Sequence, residues 1–302
     1  MIEVYNYSNG FNFNKQNERI NLCLGFFDGL HIGHQHLINS AKQPGVKVGV
    51  FTFGGSVKSL TDKRKDRGLL TTIEDRKELL SSLGVDYLFV VEFSPSIMNM
   101  SSLDFIDKIL SSLTIKSIFV GSDFRFGAKA QGDVNLLKKY YPVEVVDFVF
   151  DERGKVSTSE IIKLITNKKI EEANKLLGRN YYVKGEVKHG LSNGARLGFR
   201  TANILVIDAY LIPPRGVYAT ILTYNNKQYL SMTNIGTHPT IDELDAPTIE
   251  TNIFDFDQDI YSSQVKLEFV EYIRSEKKFS SINELINELT NNKEYIQKKY
   301  KI

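Results

Sequence analysis

Apolar positions follow two different patterns along this chain. Over residues 1 to about 178, short apolar runs alternate with amphipathic segments. Runs at 20–24, 46–53, 87–93, 117–120 and 143–150 read as strands, and 35–41, 73–82, 103–112 and 134–140 between them read as helices. Glu74, Asp75 and Glu78 crowd the start of the second helix and Gly84 follows its end, as the helix dipole and capping favour. Strand and helix in alternation predict a parallel sheet covered on both faces. Ligands of such sheets sit beyond the carboxyl ends of the strands. A last helix, 167–178, carries the stripe Ile170, Ala173, Leu176 and Leu177 and stops at Gly178. The domain boundary is placed there, giving 1–178 and 179–302.

From Asn180 the pattern changes. Stretches 181–187, 202–207, 217–224, 228–233, 248–254 and 264–273 are strand-like. Turn formers such as Pro213-Pro214, Asn225-Asn226 and Asp257-Gln258-Asp259 separate them. Short strands with turns, closed by one helix from 282 to about 299, predict a small antiparallel β-barrel.

Composition narrows the class. A chain of 302 residues favours two domains, each able to bury a core. A formal charge of +2 with 25 % charged residues gives no basic field for nucleic acid. The one cysteine, Cys23, lies in an apolar run and is expected to be a small core residue. No signal-peptide pattern opens the chain and no apolar run reaches membrane-span length, so a cytoplasmic protein with no membrane partner is expected. No pattern specifies an oligomeric state.

Candidate chemistry starts where the first run breaks. After Leu24 come Gly25-x-Phe27-Asp28-Gly29-x-His31-x-Gly33-His34, then a helix. A strand, a glycine-rich turn and a helix start favour an anion: glycine lets backbone approach the ligand, and the first helical N–H groups face it. His31 and His34, three apart, can both donate to one phosphate as charge builds on it. The loop lacks a Lys-Ser/Thr pair, so it is not a P-loop. A zinc pair, or two surface histidines, are the alternatives left open. A second strand end carries Gly121-Ser122-Asp123-Phe124-Arg125-Phe126-Gly127: a carboxylate, a cation and two aromatics that suit a nucleotide or flavin. Ser157, Thr158 and Ser159 offer hydroxyls to open a helix or take a phosphate.

These motifs resemble the nucleotidyltransferase superfamily, and within it the bacterial bifunctional riboflavin kinase/FAD synthetases. The glycine-histidine stretch matches GxFDGxHxGH, and 121–127 matches GxDFRFG. The resemblance implies a Rossmann-like FMN adenylyltransferase domain with ATP, Mg²⁺ and FMN as ligands. It makes His31 and His34 catalytic, and Gly25, Phe27, Asp28, Gly33, Asp123, Phe124, Phe126, Ser157, Thr158 and Ser159 ligand contacts. Two departures bear on this half. Ile162 stands where the family has an arginine, and Gly54-Gly55-Ser56-Val57 replaces a usual Asp-Pro-His-Pro.

The second half resembles the riboflavin kinase domain over nearly its whole length. Gly185-Glu186-Val187-Lys188-His189-Gly190, Leu197-Gly198-Phe199-Arg200-Thr201-Ala202-Asn203, Asn234-Ile235-Gly236-Thr237 and Glu250-Thr251-Asn252 carry it. By that resemblance Thr201 and Asn203 hold Mg²⁺ and ATP phosphate, and Glu250 is the base for the ribityl 5′-hydroxyl. Gly185, His189, Gly190, Gly198, Asn234 and Arg274 are then flavin or ATP contacts. Arg200 replaces a proline, Ala195 a frequent arginine and Asn252 a common histidine. The resemblance thus implies an enzyme that makes FMN from riboflavin and FAD from FMN. The departures leave two other readings: a chain with only the kinase half active, or a flavin- or nucleotide-binding regulator without turnover.

Overall fold

The computed structural model describes residues 2–7, 18–54, 68–92, 94–189, 199–206, 210–237 and 247–301. Gly190, Gly198, Ala195 and the departures at Gly55, Ser56 and Val57 lie outside these.

The chain divides into two compact units, Met1–Thr158 and Ser159–Ile302. The first is built on β1 (Glu3–Tyr7), β2 (Ile20–Leu24), α1 (Ile32–Ser40), β3 (Lys47–Gly54), α2 (Ile73–Ser82), β4 (Tyr87–Glu92), α3 (Pro95–Met98), α4 (Ser102–Asp104) and β5 (Ile115–Gly121). After these come β6 (Arg125–Phe126), β7 (Gly132–Asp133), α5 (Val134–Leu137), β8 (Val143–Val146), β9 (Phe150–Asp151) and β10 (Gly154–Lys155). Six strands form one sheet in the order β1-β4-β3-β2-β5-β8, every pair parallel. The alternation of side chains across a strand explains the two cores. Ile20, Leu22 and Leu24 pack on one face with Phe105, Ile109 and Leu110. Cys23 packs on the other with Ile38, Ala41 and Leu80. Cys23 is fully buried, and burial pushes its thiol far up from its ordinary value, as a core residue requires.

Several elements differ from the sequence pattern. Strand β1 was not expected; it adds to β4 at the sheet edge, where Glu3 and Asn6 interrupt the apolar pattern. The expected helix 103–112 is α4 followed by a π turn, Phe105–Ile109, and a 3-10 turn, Leu110–Ser112. The expected helix 134–140 stops after the single turn α5, capped by Asp133. The run 143–150 is divided: β8 stays in the sheet, and Phe150 leaves it to pair with Lys155 in a hairpin.

The second unit holds α6, whose bounds are Thr158–Thr166, α7 (Ile170–Leu177), β11 (Tyr181–Lys188), β12 (Thr201–Leu205), β13 (Gly216–Tyr224), β14 (Lys227–Thr237), β15 (Pro247–Ile253), β16 (Gln264–Arg274) and α8 (Ile282–Lys299). The six strands close into an antiparallel barrel, β11-β12-β15-β14-β13-β16. Helix α7 ends where Gly178 takes φ 70°, a conformation glycine adopts without strain. It is tied to the barrel by Asn174, which donates to Phe269 O at 2.9 Å and accepts from Tyr181 N–H at 2.7 Å. The barrel interior carries a buried hydroxyl ladder: Thr220 bonds Ser231 and Thr233, and Thr233 bonds Thr251. Helix α8 buries Ile296 against Val217, Ala219, Met232 and Phe254 on the outer wall.

Candidate active sites

The first candidate site is the mouth of α1. The helix starts three residues earlier than its apolar pattern suggests, because His31 caps it: His31 Nδ1 accepts from His34 N–H at 3.3 Å. The two imidazoles stack, centroids 3.6 Å apart and 17° between planes, and Phe27 meets His34 edge-on at 5.1 Å. Gly33 makes room for this: a Cβ there would come within 3.2 Å of the His31 ring. His34 Nδ1 is buried with no hydrogen-bond partner among the described residues. Burial, His31, Arg76 and Lys155 hold His34 well below its usual range, so the ring is neutral. No cluster of three or more His, Cys, Asp or Glu able to hold a metal exists among the described residues, and the stacked pair has no third ligand beside it.

The loop before the helix is strained and pinned from behind. Phe27, Gly29 and Leu30 all have positive φ, at 52°, 77° and 41°. Asp28, expected as a ligand contact, is turned inward. Its carboxylate accepts from Leu70 N–H, Thr71 N–H and the Thr71 hydroxyl, and lies 3.8 Å from Arg76 Nη2. Arg76 is 1 % exposed and donates from Nη1 to Phe26 O, Thr52 Oγ1 and Phe53 O, each at 3.1 Å. Burial lowers the guanidinium, while Asp28 and Asp75 push back. Arg76, Thr71 and Thr52 were not among the expected site residues. Arg76 sits in a helix whose charges read as capping and dipole residues, and its partners lie far away in sequence. Arg76→Met leaves the Asp28 charge unpaired, which typically costs about 3–5 kcal/mol. The expected result is an early urea-unfolding step for the first unit, read by circular dichroism, with Arg76→Lys losing less.

The rest of the mouth is assembled by returning strands. Thr158 Oγ1 donates to Asp28 O at 3.0 Å, so one of the three expected hydroxyls holds the loop rather than pointing away from it. Asp123 forms an ion pair with Lys155 and is exposed beyond the sheet. Phe124 and Phe126 stack at 5.8 Å, but Phe126 is a core residue and only Phe124 is half-exposed. Gly25 lies against the Phe27 ring, where a Cβ would come within 3.0 Å. At Gly54 a Cβ would meet Val90 Cγ1 at 2.8 Å, so glycine at this departure matches the packing of the next strand.

The second candidate site lies on the outer wall of the barrel. Register places Asn203 opposite Glu250 and Glu250 opposite Asn234, so the three line up across β12, β15 and β14. Thr201 pairs with Asn252, one step along the same face. A cavity of about 300 Å³ opens over this row, floored by Thr201, Asn234, Glu250 and Asn252 and roofed by Phe279, Leu285 and Leu289. Arg274 also lines it, its Nε 2.9 Å from Glu288 Oε1 of α8 but off a straight N–H···O line. Asn252 donates to Arg200 O at 2.7 Å and so steadies the backbone before Thr201, a task proline would otherwise perform. His189 stacks on Tyr261 at 3.6 Å. Gly185 has a packing reason: a Cβ there would meet Leu205 O at 2.6 Å. Thr201 and Asn203 offer hard oxygen donors of the kind Mg²⁺ takes alongside phosphate oxygens, so the residues fit that ion.

Comparison with known proteins separates the halves in the same order. Residues 13–160 match the FAD synthetase family and 177–300 match the riboflavin kinase family. The bifunctional riboflavin kinase/FMN adenylyltransferase of Listeria monocytogenes is 38 % identical, covering 89 % of this chain and 88 % of its own. This chain belongs to the bifunctional riboflavin kinase/FMN adenylyltransferase family. The family member of Bacillus subtilis is 34 % identical over 90 % of each chain, and that of Escherichia coli 31 % over 87 % of each. A crystal structure described as a macrolide-efflux protein from Streptococcus pneumoniae superposes with a TM-score of 0.88 at 28 % identity, covering 97 % of this chain and 98 % of that one. Its description names efflux; among the described residues of this family member no helix is long and apolar enough to cross a membrane.

Proposed function

We propose that this chain phosphorylates riboflavin to FMN in its second half and adenylylates FMN to FAD in its first. The observation that carries the reading is Glu250, set in register between Asn203 and Asn234 on the floor of a flavin-sized cavity. A carboxylate there takes the proton of the ribityl 5′-hydroxyl as its oxygen attacks the γ-phosphorus of ATP and ADP leaves. Thr201 and Asn203 would hold Mg²⁺, which would supply charge neutralisation for the ATP phosphates. Val217, Met232, Leu285 and Leu289 give the cavity an apolar wall for the flavin ring, and Arg274 adds a cation at its edge.

In the first half an FMN phosphate oxygen attacks the α-phosphorus of ATP and pyrophosphate leaves. The nucleophile is already anionic, so no protein base is required. The work of the protein is to orient the phosphates and stabilise the charge that builds on them. His31 and His34 donate hydrogen bonds at the helix mouth, Gly25 and Gly33 allow close approach, and Phe27 holds the His34 ring. Ser157 and Ser159 add hydroxyls, and Asp123 and Phe124 border the nucleotide. Asp28 acts through the loop it anchors.

The two chemistries divide in the helical stretch 159–178. ATP, riboflavin and FMN are the substrates, and the place of action is the cytoplasm, where ATP is made and used. Separate feeding tests the reading. Riboflavin with ATP yields ADP and FMN, and FMN with ATP yields pyrophosphate and FAD. Flavin binding without either product would replace the reading by that of a regulator; ADP without pyrophosphate would confine it to the kinase half.

A further inference from the structure

Lys155 is not among the residues that the motifs single out, yet its position marks it. It ends β10, and the next residues run along the phosphate loop. Val156 O lies 3.8 Å from where a Cβ on Gly33 would sit, and the Thr158 hydroxyl bonds Asp28 O. The Lys155 ammonium sits 3.4 Å from the centroid of the Phe148 ring and forms an ion pair with Asp123. Its side chain is only 35 % exposed, whereas that of Asp123 is 66 % exposed. The cation is therefore the sheltered member of the pair. An aromatic face and one carboxylate fix it one residue before Val156, whose carbonyl lies against Gly33 at the start of α1. The strand that carries this preset ammonium thus runs directly into the residues that pack on the loop of the two imidazoles. The chain meanwhile has Ile162 where a cation was expected in the following helix.

We propose that Lys155 is a phosphate-contacting residue of the adenylyl transfer, donating to the ATP phosphates opposite His31 and His34. The proposal rests on the adenylyltransferase reading of the first half. In the free protein Asp123 holds the ammonium in place; a polyphosphate, with more charge than one carboxylate, then takes over as its partner. Sequence spacing hides this, because Lys155 lies outside the helix that carries Ile162.

The test compares Lys155→Met and Lys155→Arg with the unaltered chain. A charge-assisted contact that strengthens in the transition state corresponds to a loss of about 10–100-fold. Lys155→Met is expected to lower kcat/KM for ATP in FAD synthesis from FMN by about that factor, and to weaken ATP binding in the absence of FMN, read by calorimetry with a slowly hydrolysed ATP analogue. Lys155→Arg is expected to stay within several-fold of normal. Riboflavin phosphorylation by the same preparations is expected to hold within twofold, which shows the chain is folded. The His34 titration midpoint, followed by NMR, is expected to rise in Lys155→Met, because a repelling cation is gone. Unchanged FAD synthesis and unchanged analogue affinity in Lys155→Met would overturn the proposal. If the unaltered chain makes no FAD, the adenylyltransferase reading fails instead. The calorimetric comparison then still decides whether Lys155 touches the nucleotide.

Discussion

Glu250→Gln is expected to lower riboflavin phosphorylation by about 10²–10⁴-fold, the range for removing a general base. Gln keeps the size of Glu and one acceptor oxygen, so the row Asn203–Glu250–Asn234 keeps its strand register. What it cannot do is take the 5′-hydroxyl proton. The loss therefore falls on kcat, and riboflavin affinity, read by flavin fluorescence, stays within several-fold. FAD synthesis from supplied FMN is expected to stay unchanged, since the groups proposed for that step belong to the first half. Near-normal FMN formation in this variant would remove Glu250 from the mechanism.

His34→Ala is expected to lower FAD synthesis from FMN by about 10²–10³-fold, the usual effect of deleting one preset donor to a developing oxyanion. His34 has the geometry for that role. Its ring is stacked on His31, edged by Phe27, and carries a buried nitrogen with no partner among the described residues. His31 uses Nδ1 as the acceptor that caps the helix, which leaves Nε2 as its nitrogen for a ligand. His31→Ala therefore costs both a donor and a cap, whereas His31→Asn restores the cap alone. The kinase rate is unaffected in each. The depressed His34 also sets a pH dependence. It is neutral above its ordinary value of 6.5 and stays neutral well below it, so kcat/KM for ATP shows no His34 limb above that pH. Below pH 6.5 the unfolded chain takes up a proton at this position and the folded chain does not. Stability is therefore lost as pH falls through 6.5, and His34→Ala is expected to flatten that decline in urea titrations.

The apolar pattern was most readable where one element buries one face. The bounds of β2, α2 and α8 follow it closely: β2 is a wholly buried apolar run, and the two helices start at the side-chain caps Thr72 and Ser281. It was least readable where hydrogen bonding departs from a regular period. In 103–112 the apolar residues Phe105, Ile106, Ile109 and Leu110 do enter the core, but through a π turn that no pattern of side chains announces. Strand β1 carries no strong apolar pattern because an edge strand needs little apolar surface. The site shows the same division. Loop motifs local in sequence, such as Gly25 to His34, stood out. The fully buried Arg76, which bonds Phe26, Thr52 and Phe53, is a product of tertiary packing. So is the Lys155–Asp123 pair, joined across 32 residues. The alignment of Glu250 between two asparagines is a matter of strand register, which residues 203, 234 and 250 do not reveal one by one.

The most direct measurement is a time course of the purified protein with riboflavin, excess ATP and Mg²⁺, the flavins being separated by chromatography. FMN is expected first and FAD after it, with FAD formation slowed by about 10²–10³-fold in His34→Ala and FMN formation by about 10²–10⁴-fold in Glu250→Gln, where FAD then forms at the normal rate only from supplied FMN. Riboflavin that remains unconverted would contradict the account, and FMN that accumulates without FAD would contradict its first half.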